Sequence, residues 1–288
     1  MGLTWAVRQA ACLLGSVYLD YYGLKEPPFS ITPNPRFLYF SPKHREALNH
    51  MLYGIRERKG FVQLTGEVGA GKSTICRALL EQLGNNFSTA LILNPSLDPG
   101  QLIKAVAREY GLQVKGLGQA EVLEALNDFL LAELERGREV VLIIDEAQNL
   151  TNQQLEQIRM LSNLETDDRK LLQIVLLGQP ELRDRLNDPA LRQLRQRITV
   201  RYHLAPLRLA ELGDYVTHRL AVSGANGHGP RFTLPALWRI FKYSQGIPRL
   251  INAVCDKCLL AGFVQQRQRI DFGVARTAIR ELEGEIIL

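Results

Sequence analysis

The chain has 288 residues, 46% of them hydrophobic and 23% charged, with 35 Lys and Arg against 30 Asp and Glu for a net charge of +5. That length and apolar content support one large domain plus a smaller one and exclude a disordered or low-complexity chain. The mild basic excess suits an anionic partner without singling one out. Four cysteines, Cys12, Cys76, Cys255 and Cys258, are too few for a disulfide scaffold, and no window reaches the ~18 apolar residues of a membrane-spanning helix.

In chain order, the first segment differs in character from the rest of the chain. Residues 10–19 are apolar behind Arg8, a faint echo of a secretion signal that lacks a cleavage site. Residues 1–17 are therefore expected to be a non-native or disordered extension, the natural start lying at Val17. Five prolines between Pro27 and Pro42, with Phe29, Phe37, Tyr39 and Phe40 among them, predict an extended strap anchored by aromatic rings. Residues 43–58 read as a helix.

Five β-rich apolar runs come next, at 61–65, 89–94, 140–145, 172–178 and 198–204, separated by helical periodicity. The alternation predicts an α/β fold: a five-stranded, mainly parallel sheet with helices on both faces. From Pro206 onward only helices are expected, at 209–222, 234–243, 248–265 and 271–282, with Asp271 as an N-cap. The expected domains are thus an α/β base with its strap over 18–206 and an all-helical lid over 207–288. Cys255 and Cys258 are three apart in the third lid helix, on one face, and are assigned to core packing ahead of metal binding.

The chemistry begins at Gly66-Glu67-Val68-Gly69-Ala70-Gly71-Lys72-Ser73, which fits G-x-x-x-x-G-K-[ST] between an apolar strand and a helix that opens at Thr74. Glycines allow successive backbone N–H groups to turn inward around phosphates, and the helix start adds favourable potential for anions. Lys72 is expected to bridge the β- and γ-phosphates of ATP, and Ser73 to ligate Mg²⁺. The run 140–144 ends in Asp145-Glu146, the form expected when the first carboxylate holds the Mg²⁺ shell and the second is the general base. Asn94 and Gln179 stand at the ends of the second and fourth runs, at the carboxyl edge where ligands bind in open α/β sheets; either amide is placed to orient the attacking water or restrain Glu146. Among Arg192, Arg195, Arg197 and Arg201, Arg197 is the first candidate and Arg195 the second for an arginine supplied in trans to the γ-phosphate of a neighbouring subunit. Arg249, in Gly246-Ile247-Pro248-Arg249 at a lid helix start, is a candidate to reach the nucleotide.

With these motifs in place, the chain resembles the AAA+ ATPases of the general secretion pathway protein A (ExeA-like) family, over essentially all of 18–285. The resemblance is carried by the strap residues 21–29 and 33–39, by His44-Arg45-Glu46-Ala47-Leu48, by the phosphate loop, by Asp145-Glu146-Ala147-Gln148 and by Gln196-Arg197-Ile198. It implies a P-loop NTPase with Walker A at 66–73, Walker B at Asp145 and Glu146, sensor one at Gln179, an arginine finger near Arg197 and sensor two at Arg249. It also implies that the strap around Tyr39 lies beside the adenine. Longer members continue into a membrane span and a peptidoglycan-binding region, so this chain reads as a short form. The expected function is ATP hydrolysis by a homo-oligomer that assembles or remodels a secretion or envelope complex through an unidentified protein partner. The expected location is cytoplasmic, peripheral to the inner membrane at most. The alternative is a DNA-binding ATPase regulator of the transposition type.

Overall fold

The computed structural model describes residues 18–31, 34–93, 95, 98–166, 169–225 and 229–284; the expectations for residues 1–17 and for Asn94 lie outside these residues. The described chain groups into two compact units, one of 42–67 with 71–205, the other of the strap to residue 41 with 68–70 and 206 onward.

The first unit is an α/β layer structure. Its strands β1 (Phe61–Gly66), β2 (Phe87–Ile92), β3 (Glu139–Ile144), β4 (Leu172–Gly178) and β5 (Ile198–Leu204) form one sheet in the order β2-β3-β4-β1-β5. Every neighbouring pair is parallel, so the expected five-stranded parallel sheet is present. Burial tracks position in the sheet. The central strands β1 and β4 are buried at every residue, while the edge strand β5 alternates, as required when helices cover both faces of the middle and one edge meets solvent. β4 separates β3 from β1, so the strand bearing the acidic pair is not the sheet neighbour of the strand feeding the phosphate loop.

Among the described residues seven α-helices accompany these strands: α1 (Pro42–Arg56), α2 (Lys72–Leu83), α3 (Pro99–Glu109), α4 (Gln119–Glu135), α5 (Asn152–Leu161), α6 (Pro180–Leu186) and α7 (Arg192–Arg197). The core on one side joins Leu102 and Val106 of α3 and Leu126 and Leu130 of α4 to Leu142, Ile144, Ile174 and Leu176 of the sheet. Thr151 starts α5 with a reciprocal cap: its hydroxyl accepts from Gln154 N at 3.2 Å while Gln154 Oε1 accepts from Thr151 N at 2.7 Å, which satisfies two donors that a helix start would otherwise leave bare. Three strands differ from expectation in their limits. β1 runs on to Gly66, β2 runs over Phe87–Ile92, and β3 covers Glu139–Ile144, stopping there because Asp145 turns out of the ladder with only its N–H retained, on Ile92 O at 2.8 Å.

The second unit holds α8 (Leu209–Val222), α9 (Leu234–Ser244), α10 (Pro248–Val264) and α11 (Phe272–Leu282). Asp271 caps α11 as expected, its Oδ1 accepting from Val274 N at 3.0 Å. The expectation that no strand occurs here is corrected: β6 (Arg231–Phe232) and β7 (Arg269–Ile270) pair in parallel. Two residues are too few to carry a period-2 signal, so the sequence pattern discloses neither. Cys255 and Cys258 are fully buried free thiols among Ile251, Val254 and Leu259, and burial pushes both thiols up from their ordinary value. No cluster of three metal-ligating side chains occurs among the described residues.

The strap, expected with the α/β base, packs in the helical unit, because that is where its aromatic rings are buried. Tyr18, Tyr22 and Phe29 lie in the helical core. Tyr18 donates to Asp256 Oδ1 at 2.6 Å, and Phe29 meets Phe232 edge to face at 6.1 Å. Arg219 of α8 locks the strap: its Nε donates to Pro28 O at 2.6 Å and its guanidinium lies 5.0 Å from the Phe37 ring centre. No helix among the described residues is long and apolar enough to cross a membrane.

Leu142 is fully buried in β3, its Cα paired with Ala90 on one side and Ile174 on the other. Leu142→Ala is expected to cost about 2–5 kcal/mol of unfolding free energy through lost burial and a residual cavity. Denaturant titration measures it, and an unchanged midpoint would refute this account of the core.

Candidate active site

The sheet carries its strand ends to one edge. β1 stops at Gly66, the chain turns, and α2 starts at Lys72. Gly71 occupies the N-cap with φ 106° and offers no side chain to the helix start, so the first N–H groups of α2 face the loop's interior as anion donors. A Cβ at Gly71 would sit 2.7 Å from His44 Nε2 of α1; both the backbone angle and the packed imidazole therefore demand glycine.

Lys72, 6% exposed, is folded over this loop. Its Nζ donates to Gly66 O at 2.7 Å and to Glu67 O at 3.1 Å. Burial pushes its ammonium down from the usual lysine range, opposed by the charges of Glu146, Asp145, Glu67 and Glu181. The next residue reaches across the sheet: Ser73 Oγ donates to Asp145 Oδ2 at 3.2 Å. Asp145 is 5% exposed, and burial raises its carboxyl despite the hydrogen bond that its Oδ1 accepts from Glu146 N at 2.9 Å. A hydroxyl and a carboxylate oxygen are the hard donors that Mg²⁺ takes alongside water and phosphate, so Ser73 and Asp145 fit its shell.

Glu146 adopts φ 52°, a left-handed conformation uncommon for a side-chain-bearing residue. The turn it starts, Ala147–Asn149, brings Gln148 back onto it: Gln148 Nε2 donates to Glu146 Oε2 at 2.6 Å. Gln179, the N-cap of α6 after β4, donates its Nε2 to the same oxygen at 3.2 Å. Gln179 N in turn donates to Gln148 Oε1 at 3.0 Å, and Arg185 Nη1 to Gln148 O at 2.9 Å.

Thus Gly66, Glu67, Gly71, Lys72, Ser73, Thr74, Asp145, Glu146 and Gln179 gather at the carboxyl edge. Arg195 and Arg197 do not. Arg197 immediately precedes Ile198, which pairs with Phe61 at the start of β1, whereas Gly66 pairs with Leu204. The two arginines therefore lie at the amino edge, about 17 Å of strand from the loop of their own chain at ~3.3 Å per residue. There Arg197 Nη1 donates to the buried Ser162 Oγ at 2.9 Å, and Arg201 donates to Arg195 O.

Val68, Gly69 and Ala70 group with the helical unit, in which Arg249 N lies 3.4 Å from Gly69 O and the Arg249 side chain fills the space a Cβ on Gly69 would need. Tyr39, in the same unit, packs edge to face on Tyr215 at 5.7 Å and against His218 at 5.7 Å.

Two residues without an assigned role enter the site: His44 beneath Gly71, and Gln148. Both stood in motifs visible in the sequence, yet neither spacing disclosed that the side chain would turn to the phosphate loop or back to the acidic pair.

A phosphate loop opening a helix, a serine hydroxyl bonded to a buried aspartate behind it and an intervening strand in the sheet define a P-loop NTPase fold of the AAA class. Residues 55–186 match the family model for an AAA domain. The chain is similar to general secretion pathway protein A of Aeromonas hydrophila, at 48% identity over 269 residues that make up 93% of this chain and 49% of that protein. It thus spans about half the length of the curated relative it matches. Among solved structures it resembles the Drosophila ORC bound to DNA (TM-score 0.66, 16% identity, 88% of this chain and 64% of that one). It also resembles Cdc6p of Pyrobaculum aerophilum (0.65, 19%, 88% and 70%) and the ORC2 protein of Aeropyrum pernix (0.62, 17%, 87% and 72%). Identities this low speak for the fold alone.

Gly71→Ala is expected to strain the loop by about 1–3 kcal/mol and to displace His44. Melting temperature and equilibrium titration with a fluorescent ATP analogue are both expected to fall short of wild type, with affinity reduced about tenfold or more; wild-type binding would remove the requirement for glycine.

Proposed function

We propose that this protein hydrolyses ATP to ADP and phosphate, and that the cycle drives assembly or remodelling of a secretion or envelope-associated complex. The observation that carries the reading is the 3.2 Å contact between Ser73 and Asp145 with Glu146 next in sequence, since it brings a phosphate-loop hydroxyl, a metal-type carboxylate and a candidate base to one strand edge. The Mg²⁺ held by Ser73 and Asp145 would neutralise phosphate charge. Lys72 binds the β- and γ-phosphates in exchange for the Gly66 and Glu67 carbonyls that it contacts now. Glu146 accepts a proton from water as the water oxygen bonds to the γ-phosphorus; the bond to the bridging oxygen breaks, and ADP leaves with that electron pair. Gln179 holds the carboxylate in place.

Arg197, remote from its own phosphate loop, serves a neighbouring copy, which makes the active form a homo-oligomer. Tyr39 is assigned to the adenine and Arg249 to the phosphates in the nucleotide-bound state, with Arg195 in reserve to Arg197. Work on a secretion complex is inferred from the name of the relative from Aeromonas hydrophila, and ATP supply places the protein on the cytoplasmic side, peripheral to the inner membrane where the complex requires it. A second reading, a DNA-linked regulator, is favoured by the net charge of +5 and by the fold shared with an ORC bound to DNA. Turnover stimulated by duplex DNA with steep salt dependence selects that reading, and indifference to DNA selects the first.

Glu146→Gln is expected to retain nucleotide affinity while turnover drops by about 10²–10⁴-fold, so that ATP stays bound in filter assays; near-normal phosphate release would dismiss Glu146 as the base. Lys72→Ala and Arg197→Ala are each expected to be inactive alone, the first without nucleotide bound. Mixed, they are expected to recover part of the activity, because one interface then pairs an intact loop with an intact arginine. Absence of any recovery would return Arg197 to a structural part.

A further inference from the structure

Glu146 does not hold its own position. Its backbone sits at φ 52°, where local contacts must outweigh the torsional cost, and its carboxylate is free to rotate unless gripped. The grip comes from a closed ring of side-chain amides. Gln148 Nε2 and Gln179 Nε2 both donate to Glu146 Oε2, at 2.6 and 3.2 Å, and Gln148 Oε1 accepts Gln179 N at 3.0 Å. The partners fix the orientation of the Gln148 amide, since the reverse would face its oxygen to a carboxylate and its NH₂ to an N–H. The Gln148 backbone is tied down as well, its carbonyl accepting from Arg185 Nη1 of α6 at 2.9 Å. A Cβ at Gly178 would come within 3.0 Å of Gln148 Oε1, so the end of β4 leaves room for this amide and little more.

Both donors fall on Oε2. Among the described residues Oε1 accepts no hydrogen bond, so it is the oxygen left for a water.

We propose that Gln148 is a positioning residue for the hydrolytic base: it clamps Glu146 Oε2, presents Oε1 to the attacking water, and couples that carboxylate to Gln179 at the end of β4. The inference rests on the proposal that Glu146 acts as the base. Gln148 touches neither phosphate nor metal oxygens in this role and acts only through Glu146 and Gln179.

The test uses the full chain with Mg·ATP and compares Gln148→Ala, Gln148→Glu, Gln179→Ala and the double variant Gln148→Ala/Gln179→Ala. Gln148→Glu is nearly isosteric and still accepts from Gln179 N, but its carboxylate has no proton to give Glu146. Both Gln148 variants are expected to lose about 10- to 100-fold in kcat, the scale of a reacting group misplaced by about 1 Å, while KM, affinity for a non-hydrolysable ATP analogue and melting temperature stay at wild-type values. The double variant is expected to be no worse than the weaker single one by more than about twofold, since both residues act on one oxygen. Wild-type kcat in either Gln148 variant overturns the proposal, as does a kcat loss accompanied by an equal loss of binding or melting temperature, or full additivity in the double variant. Higher turnover in Gln148→Ala also overturns it, because the clamp would then be a restraint. A wild-type chain that binds ATP and never releases phosphate brings down the hydrolase reading itself together with this one. Active wild type with an equally active Gln148→Ala removes the clamp alone.

Discussion

The contact between Ser73 and Asp145 is the constraint on which the rest of the site depends. These residues are 72 positions apart, Ser73 in the helix that follows β1 and Asp145 just past the end of β3, and those two strands are not sheet neighbours, so the hydroxyl and carboxylate meet only if the strands run parallel and end together. An antiparallel β4 or a slip by one residue would send Asp145 to the wrong edge or the wrong face. The fully buried β4 holds the spacing, and its Leu176 and Leu177 pair with Ile144 on one side and Leu64 on the other. The apolar centre of the sheet thereby places two polar atoms 3.2 Å apart.

The same edge concentrates unfavourable terms. Lys72 and Asp145 are charged groups with almost no solvent contact, and burial disfavours the charged form of each. Each partly relieves the other, and the loop carbonyls and the Glu146 N–H supply the remaining partners. An anion beside Lys72 and a cation beside Asp145 would each favour the charged form that burial disfavours.

The fold was legible because its signals are long. Six- and seven-residue apolar runs and ten-residue helical periods survive without tertiary information, whereas the order of the runs along the chain does not tell that β4 is the strand lying between β1 and β3. Limits of strands were less so: Asp145 looks like a strand residue by its neighbours, and only the turn at Glu146 takes it out of the ladder. The residues that escaped assignment share one property. His44 and Gln148 act through side chains that turn onto distant or left-handed backbone, and no period or composition encodes such a turn. The strap was read as extended and aromatic; Pro35–Phe37 forms a turn of 3₁₀ helix within it, and its destination was not read, since rings that bury well against either unit carry no address.

The strap also makes folding of the helical unit a long-range event. Tyr22 donates to carbonyls at Leu259 and Arg267, 237 and 245 residues further on, with the whole α/β unit inserted between. On a ribosome, Tyr18, Tyr22 and Phe29 emerge early and wait without their partners until the last helices are made. Closing so long a loop is slow, though its entropy grows only as the logarithm of length. During that interval the α/β unit already has its own strands and helices in hand, whereas the helical unit has a solvent-exposed aromatic ribbon and nothing to receive it. The two halves of the molecule thus mature at different times, with adhesive surface exposed in between, and in the crowded interval of synthesis this ribbon is the segment most in need of shielding.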